Sequence, residues 1–480
     1  MTQNNLVLYA LIAVFMVDFY VLIGILCYMQ RTIDPVLTQW KNSPVRQPLL
    51  VKGARQVGKT CSVVNFGNRE FSNIVTVNFE EQPEMSSCFS DLDPKAILDR
   101  ISILTREPIR PGQTLLFLDE IQECPKAITA LRYFDEKLPE LHVIGAGSLI
   151  EFALKAEDFR MPVGRVQSIY MVPMSYEEFL IALGEKRLIG YLQKADLNSG
   201  IDQSLSLRLE QLFRQYLLVG GMPRIVNSYR KKVQITELQR LQTGLIRSYT
   251  DDFAKYASTA KHKYLKEVYA SAPRMIGRRY KYSHIDPTIE SKYLKNALEL
   301  LGNARLVFKI CHASGAGVPL MATMNERKFK IAYIDVGLMQ NSLGLQAATV
   351  STDNIMQINA GSVAEQFVAQ ELTTLADPYT DKKLHFWARE VRGSNAEVDY
   401  LIEIDGRPIP VEVKAGARGS LKSMRLFLQE YPKTPLGVRY SLHELSYVDQ
   451  ILSIPLTMVN QTQRLVRDCM ENRTMNNERC

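Results

Sequence analysis

Short apolar runs of strand length recur through the first third of the chain, and each ends where the polarity changes abruptly. The runs cover residues 48–51, 114–118 and 141–144, and they are followed by Lys52-Gly53, Asp119-Glu120 and Gly145. Runs of this length without alternation are typical of strands buried on both faces of a parallel sheet. The pattern predicts an α/β domain built on a parallel sheet.

The middle of the chain has helical periodicity followed by two strand-like runs. Asp286 and Pro287 can start a helix that ends at Gly302-Asn303. Its predicted apolar stripe consists of Ile289, Tyr293, Ala297 and Leu301. Residues 304–310 and 328–333 then form two strands, and a helix followed by a two-stranded wing predicts a winged-helix module.

Residues 397–404 and 407–414 alternate apolar and polar positions and are joined by Asp405-Gly406, a dipeptide that favours a two-residue hairpin turn. This register places Asp399 opposite Glu412, with Lys414 on the same face. Opposed carboxylates repel unless a positive charge lies between them. A divalent metal with Lys414 beside it is the economical explanation.

A second element extends this candidate metal site. A helix that starts at Gly361 places Glu365 at the border of its apolar face, which makes Glu365 a further candidate ligand beside Asp399 and Glu412. A structural hairpin with solvated charges is the alternative, and Pro408 and Pro410 could shift the register.

The first apolar run leads directly into the sequence Gly53-Ala54-Arg55-Gln56-Val57-Gly58-Lys59-Thr60, which matches the P-loop pattern between a strand and a helix. In a P-loop, the glycines let backbone N–H groups face phosphate oxygens. Lys59 is expected to reach the β and γ phosphates of ATP, and Thr60 to ligate Mg²⁺. The sequence therefore predicts a nucleotide site.

Polar residues that follow the other two runs complete the predicted site. Asp119 and Glu120 end the second run, where Asp119 would hold Mg²⁺ and Glu120 would polarise the attacking water. Ser148 follows the third run and could sense the γ-phosphate, or be an ordinary loop serine. Arg165 could stabilise transition-state charge in cis or across a subunit contact, or be a surface arginine.

Residues 6–29 are apolar and long enough to span a bilayer, with Asp18 as their one charge. Arg31 and Lys41 follow this stretch, so an inserted helix would anchor the protein in the inner membrane and leave the bulk in the cytoplasm. Asp18 opposes insertion by roughly 2.5 to 3.5 kcal/mol. The alternative is that translation starts at Met29, and residues 1–28 are then not part of the protein.

Net charge separates the middle of the chain from its flanks. Of 480 residues, 58 are Lys or Arg and 51 are Asp or Glu, but residues 228–345 alone carry an excess of 11 positive charges. Such a region suits a polyanion, most simply DNA, although a lid that packs on the ATPase is the alternative. The 7 cysteines are scattered without paired spacing, which excludes a disulfide framework and fits a cytoplasmic protein.

Seven segments in order resemble one family: GARQVGKT, LFLDEIQECP, GAGS, VGRV with VPMSYEEFL, YLLVGGMP, YIDVGL and EVDYLIEIDGRPIPVEVKA. Together they are similar to bacterial and archaeal AAA-type ATP-binding proteins with a C-terminal domain of unknown function that resembles PD-(D/E)XK restriction nucleases. The resemblance runs from about Met29 to Gln429. It implies that Asp399, Glu412 and Lys414 form a metal-dependent nuclease-like site.

These observations divide the chain into five parts. They are a leader (1–28), an AAA-type P-loop ATPase domain (29–227), a basic winged-helix region (228–345), a restriction-endonuclease-like α/β domain (346–460) and a polar tail (461–480). The expected function is ATP binding and hydrolysis coupled to DNA binding, with Mg²⁺, possible DNA cleavage and possible homo-oligomer formation. The alternative is a nucleotide-operated switch whose nuclease-like domain binds without cutting.

Overall fold

A computed structural model describes residues 29–153, 164–256, 259–345, 360–381, 383–389, 396–414 and 420–477. The chain divides into two compact units at Met171, with residues 378–380 joining the first unit. The apolar leader of residues 1–28 lies outside the described residues. Among the described helices, none combines the length and hydropathy that crossing a bilayer requires.

The first unit is built on a sheet of five parallel strands in the order β2-β3-β4-β1-β5. Every residue of the central strands β3 and β4 is buried, which explains why their sequences are continuously apolar and confirms the predicted parallel sheet. The strands are β1 (Leu49–Lys52), β2 (Asn73–Asn78), β3 (Thr114–Asp119), β4 (His142–Gly147) and β5 (Gln167–Tyr170). The helices are α1 (Ile33–Lys41), α2 (Lys59–Glu70), α3 (Pro94–Thr105), α4 (Pro125–Lys137) and α5 (Ile150–Ala153).

The second unit contains a mixed sheet of eight strands in the order β12-β13-β11-β10-β9-β8-β6-β7. Its strands are β6 (Val307–His312), β7 (Asn325–Tyr333), β8 (Leu384–Ala388), β9 (Glu397–Ile404), β10 (Arg407–Val413), β11 (Gly437–Ser441), β12 (Ser446–Val448) and β13 (Ile451–Pro455). Its helices are α6 (Tyr176–Ala182), α7 (Lys186–Leu192), α8 (Gln203–Val219), α9 (Pro223–Arg230), α10 (Ile235–Asp251), α11 (Phe253–Tyr256), α12 (Thr259–Ser271), α13 (Ser291–Asn303), α14 (Val336–Ser342), α15 (Ala360–Thr374), α16 (Lys422–Glu430) and α17 (Thr462–Asn477). Residues 172–227, expected to belong to the ATPase domain, therefore lie in this second unit.

The β9–β10 hairpin has the register that its two-residue turn predicts. Arg407 pairs with Ile404, and the pairing continues without a shift to Val411 opposite Tyr400. The two prolines on β10 do not disturb it. Asp405 and Gly406 both have positive φ, as this type of turn requires.

The predicted winged-helix module is not a separate unit. Strands β6 and β7 do pair antiparallel, as expected, but β6 also pairs in parallel with β8, so the two strands extend the eight-stranded sheet. The reason is that the free edge of β6 offers backbone groups that β8 satisfies.

The helix in front of these strands also differs from the prediction. It begins at Ser291, whereas Asp286 accepts hydrogen bonds from the backbone N–H and hydroxyl of Thr288 in a local turn. Tyr293 is exposed, and the face that packs inward comprises Leu294, Ala297, Leu298 and Leu301.

The YLLVGGMP and YIDVGL motifs pack against each other in the interior of the second unit. Asp335 is fully buried and accepts hydrogen bonds from the backbone N–H of Gly221 at 2.6 Å and of Leu338 at 2.9 Å, so it caps α14. A Cβ on Gly220 would lie 2.1 Å from Asp335 Oδ1. The glycine pair and the aspartate of these two motifs therefore serve packing.

Candidate functional site

The P-loop lies between β1 and α2, where the sequence predicts it. A side chain on Gly53 would collide with the carbonyl of Met171 at 2.2 Å, so only glycine fits the first position. Gly58 has a φ of 98° and precedes the first residue of α2. The N-terminus of α2 therefore points its free N–H groups into the loop, which is the geometry that binds phosphate.

Lys59 is buried and lies across its own loop. Its Nζ donates to the carbonyls of Gly53 at 3.1 Å and Ala54 at 3.0 Å. Burial lowers the pKa of Lys59 to about 8, and the nearby carboxylates of Glu120 and Asp119 partly oppose this shift. The ammonium is thus held next to the space that the helix N-terminus faces. On nucleotide binding it can exchange its contacts with the Gly53 and Ala54 carbonyls for contacts with phosphate oxygens.

The hydroxyl of Thr60 and the carboxylate of Asp119 meet at the carboxyl end of the sheet. Thr60 Oγ1 donates to Asp119 Oδ2 at 2.8 Å. Burial raises the pKa of Asp119 to about 6, while the Thr60 hydrogen bond acts in the opposite direction. One hydroxyl and one buried carboxylate beside a phosphate-binding loop fit Mg²⁺, which prefers oxygen ligands.

Gln122 contacts Glu120, and sequence reasoning missed it. Gln122 Nε2 donates to Glu120 Oε2 at 2.6 Å. Glu120 itself has a φ of 47°, an uncommon conformation for a residue with a side chain. The amide therefore fixes the orientation of the carboxylate expected to polarise water.

Two arginines also contact the P-loop. Arg31 is buried and its Nη1 donates to the carbonyl of Val57 at 2.9 Å. Arg55, inside the loop, pairs with Glu80 at 3.0 Å. Nothing in the local pattern around Arg31 pointed to this contact, because it joins residues 26 positions apart.

The structure brings Ser148 near the site but not Arg165. Ser148 directly follows β4, whose last residue Gly147 pairs with Lys52 at the end of β1. Arg165 instead precedes β5, which starts beside Leu49, so it lies at the opposite edge of the sheet from the P-loop. It is half-exposed, with its Nη1 3.5 Å from Asp135 Oδ2. Arg165 therefore lies away from the P-loop in this structure, and its role in stabilising transition-state charge, in cis or across a subunit contact, stays a prediction.

The predicted C-terminal residues converge around a lysine that the sequence analysis did not select. Lys330 on β7 is 1% exposed, and its Nζ lies 3.2 Å from Glu365 Oε2, 3.3 Å from Glu397 Oε1 and 3.6 Å from Asp399 Oδ1. Burial lowers the pKa of Lys330, but Glu365, Asp399 and Glu397 outweigh it, so the pKa is raised. The ammonium is therefore charged and lies between the carboxylates.

Glu412 and Lys414 form the other half of this centre. Lys414 Nζ donates to Glu412 Oε1 at 2.5 Å, and Asp399 Oδ2 accepts from the backbone N–H of Val413 at 2.8 Å. Burial, reinforced by Asp399, raises the pKa of Glu412 to about 7. The pKa of Glu365 also rises to about 7 because of burial, although Lys330 opposes the shift. We call Glu365, Glu397, Asp399, Glu412, Lys330 and Lys414 the carboxylate–lysine centre.

The carboxylate–lysine centre does not fit a divalent metal as it is arranged. Both oxygens of Asp399 have partners, one of them Lys330, and one oxygen of Glu365 also contacts Lys330. Within the described residues, no group of three or more His, Cys, Asp or Glu side chains has the arrangement to hold a metal ion. The buried Glu412 Oε2 has no hydrogen-bond partner in the described part of the chain, but a single oxygen does not make a metal site.

Three protein-family models match successive parts of the chain. Residues 45–180 match the AAA domain family AAA_14. Residues 210–349 and 360–459 match two domains of unknown function, DUF8612 and DUF4143. The first match, with its P-loop and parallel sheet, makes this part of the chain an AAA-type P-loop domain, which implies ATP binding.

Two curated relatives are uncharacterized proteins, Rv2008c of Mycobacterium tuberculosis and Mb2031c of Mycobacterium bovis. Each is 28% identical over 138 residues, which is 28% of this chain and 29% of the relative. The match thus spans less than a third of either relative.

Solved structures with partial similarity include Aeropyrum pernix ORC1 in complex with DNA, a RuvB variant of Thermotoga maritima and AMPPCP-bound DnaA from Aquifex aeolicus. Their sequence identities are 14%, 15% and 12%, and their TM-scores are 0.28, 0.27 and 0.26. The alignments cover 66%, 57% and 56% of this chain and 91%, 85% and 90% of the respective structures. Scores this low carry no argument about function.

Proposed function

We propose that the protein hydrolyses ATP and binds DNA, and that its nucleotide state controls its affinity for DNA. The observation that carries the first part is the convergence of Lys59, Thr60, Asp119 and Glu120 at one edge of the parallel sheet. Phosphoryl transfer needs mainly positioning and charge stabilisation, and these four groups supply both.

Each residue has a distinct part in the proposed reaction. The N–H groups of the P-loop and Lys59 hold the phosphates, while Thr60 and Asp119 would hold Mg²⁺. The metal would neutralise charge on the β and γ phosphates. Glu120 orients the attacking water, and Gln122 keeps its carboxylate in place.

A groove between α12 and α13 supports the second part of the proposal. The rings of Tyr264 and Tyr293 stack with centroids 4.9 Å apart and planes within 6°. Lys263 and Lys292 each lie over one of these rings, at 4.9 Å and 4.8 Å. The groove has a volume of about 320 Å³, and Lys261 also lines it.

Charge complementarity favours DNA as the occupant of this groove. The lysines that line it are exposed and lie in the region with an excess of 11 positive charges. The ion pairs of Lys292 with Glu290 and Lys295 with Glu299 are on the surface, so phosphate can replace them at little cost. Tyrosine rings beside lysines are the usual combination for contacting bases and phosphates together.

DNA cleavage at the carboxylate–lysine centre is not part of this proposal. Its carboxylates are engaged by Lys330 and Lys414, which favours the alternative of a nucleotide-operated switch whose nuclease-like domain binds without cutting.

Calorimetry and phosphate release test the nucleotide site. Lys59→Ala should abolish ATP binding and hydrolysis, whereas Lys95→Ala, a change of an exposed lysine on α3, should leave both unchanged. Equal ATP affinity in wild type and Lys59→Ala would contradict the assignment.

Fluorescence anisotropy with labelled duplex and single-stranded DNA tests the groove. Lys292→Glu should weaken binding roughly tenfold and reduce its salt dependence. Lys186→Glu, which changes an exposed lysine on α7 of the same unit, is the matched control. If both variants bind like wild type, the groove is not the DNA surface; if ATP analogues do not change the affinity, nucleotide control is wrong.

A further inference from the structure

Lys330 supplies positive charge beside Asp399, one of the two carboxylates that the predicted hairpin register places opposite each other. It extends from β7, on which residues 329–333 are all buried. Its side chain is only 1% exposed and reaches three carboxylates from two other elements: Glu365 on α15, and Glu397 and Asp399 on β9. The rings of Phe386 and Tyr400 lie 5.6 Å and 5.9 Å from its Nζ.

A buried ammonium is costly unless several partners compensate for it, and here they do. Each of the three N–H donors of Lys330 can be directed at a different carboxylate. Arg279 also pairs with Glu397 at 2.9 Å, and Lys414 pairs with Glu412. The centre is therefore neutralised largely by side chains that belong to the chain itself.

A divalent cation would have to displace Lys330 to reach Asp399 and Glu365. The lysine is tethered to a buried part of the sheet, so it cannot diffuse away. Moving it would leave an unpaired ammonium near two aromatic rings, at the high cost of a buried charge that has lost its partners.

We infer that Lys330 is the resident cation of the carboxylate–lysine centre, which therefore works without a divalent metal. Through its carboxylate contacts the lysine links β7 to β9 and to α15, which are more than 30 positions away in the sequence. It holds the carboxylates together as a bound metal would. This inference does not depend on the proposed ATP hydrolysis or DNA binding.

Binding of Mn²⁺ to the nucleotide-free full-length protein, measured by electron paramagnetic resonance, tests the inference. All proteins carry Asp119→Asn, so that the nucleotide site contributes little. The Asp119→Asn protein with Lys330 intact should bind the same amount of Mn²⁺ as the protein that carries both Asp119→Asn and Asp399→Asn. Lys330→Met should gain about one equivalent of bound Mn²⁺, and adding Asp399→Asn should remove it.

Two results would overturn the inference. One is an equivalent of Mn²⁺ bound when Lys330 is intact and lost on Asp399→Asn. The other is a folded Lys330→Met protein that gains no Mn²⁺. If Lys330→Met does not fold, the test is the amount of Mn²⁺ bound by the two proteins that keep Lys330, one with Asp399 and one with Asp399→Asn.

Discussion

The buried carboxylate of Glu371 should make the second unit less stable as the pH rises, and Glu371→Gln should remove this dependence. Glu371 on α15 is 1% exposed, and its Oε1 accepts the backbone N–H of Tyr176 at 2.8 Å. Burial raises its pKa from 4.5 to about 8; the Tyr176 N–H opposes the shift, and the carboxylates of Glu178 and Glu177 reinforce it. The phenol of Tyr440 is another titratable group whose ionisation Glu371 affects.

The sign follows from proton binding. Between pH 4.5 and 8, the folded state keeps a proton on Glu371 that the unfolded state has released, so stability falls as the pH rises through this range. With these two pKa values, the loss between pH 5 and pH 8 is about 3 kcal/mol, and it ends above the folded pKa. Glutamine keeps the acceptor for the Tyr176 N–H but carries no charge.

Urea unfolding at pH 5 to 8 measures this effect. The chain has two tryptophans, one in each unit, so a Trp40→Phe background leaves Trp387 to report the second unit. Glu371→Gln should be more stable than its parent at pH 8, with the two converging toward pH 5, while the exposed Glu403→Gln should follow the parent. Parallel curves for Glu371→Gln and its parent would refute the reasoning.

Three further predictions concern other sites. Burial, with Arg46 nearby, lowers the pKa of His142 to about 4. The free energy of unfolding of the first unit should therefore fall by about 2 kcal/mol from pH 8 to pH 5, because the unfolded state takes up a proton on this histidine. In urea titrations followed by Trp40 fluorescence in a Trp387→Phe background, His142→Asn should show a smaller fall. Gln122→Ala should lower kcat for ATP about tenfold with unchanged ATP affinity in steady-state assays, because Glu120 loses its positioning partner. Gly221→Ala would place a Cβ 2.1 Å from the Met174 carbonyl and should destabilise the second unit by about 3 kcal/mol or more. Urea unfolding followed by Trp387 in the Trp40→Phe background measures this loss. Gly190→Ala, with open space around it in the described part of the chain, should leave the stability unchanged.

Features determined by neighbouring residues could be predicted from the sequence. The P-loop needs one strand end, two glycines and a helix start within a few residues of one another, and the structure contains them as expected. The β9–β10 hairpin depends on a two-residue turn and on alternation, and its register agrees over five residue pairs. Both signals are short because the chemistry that produces them is short-range.

Features produced by distant pairing could not be predicted. The two strands interpreted as a wing do pair with each other, but their membership of the larger sheet depends on β6 meeting β8 more than 70 positions later. That pairing also decides the surroundings of Lys330, which in the sequence is one of two lysines in an alternating strand. The position of Arg165 could not be predicted for a related reason: its closeness in sequence to β4 did not reveal at which end of the strands the residue would lie.

The carboxylate–lysine centre shows what electrostatic reasoning from sequence can and cannot determine. The predicted opposition of Asp399 and Glu412 implied that positive charge must lie nearby, because like charges repel, and Lys330 and Lys414 supply that charge. Opposed carboxylates require a positive charge of either source, because a metal ion and a lysine neutralise them equally. At the nucleotide site the acidic residue faces the phosphate-binding loop, so a cation can arrive with ATP. At the carboxylate–lysine centre the cation is Lys330 of β7, which is buried from solvent. Acidic residues therefore predict metal binding at the nucleotide site and no metal binding at the carboxylate–lysine centre.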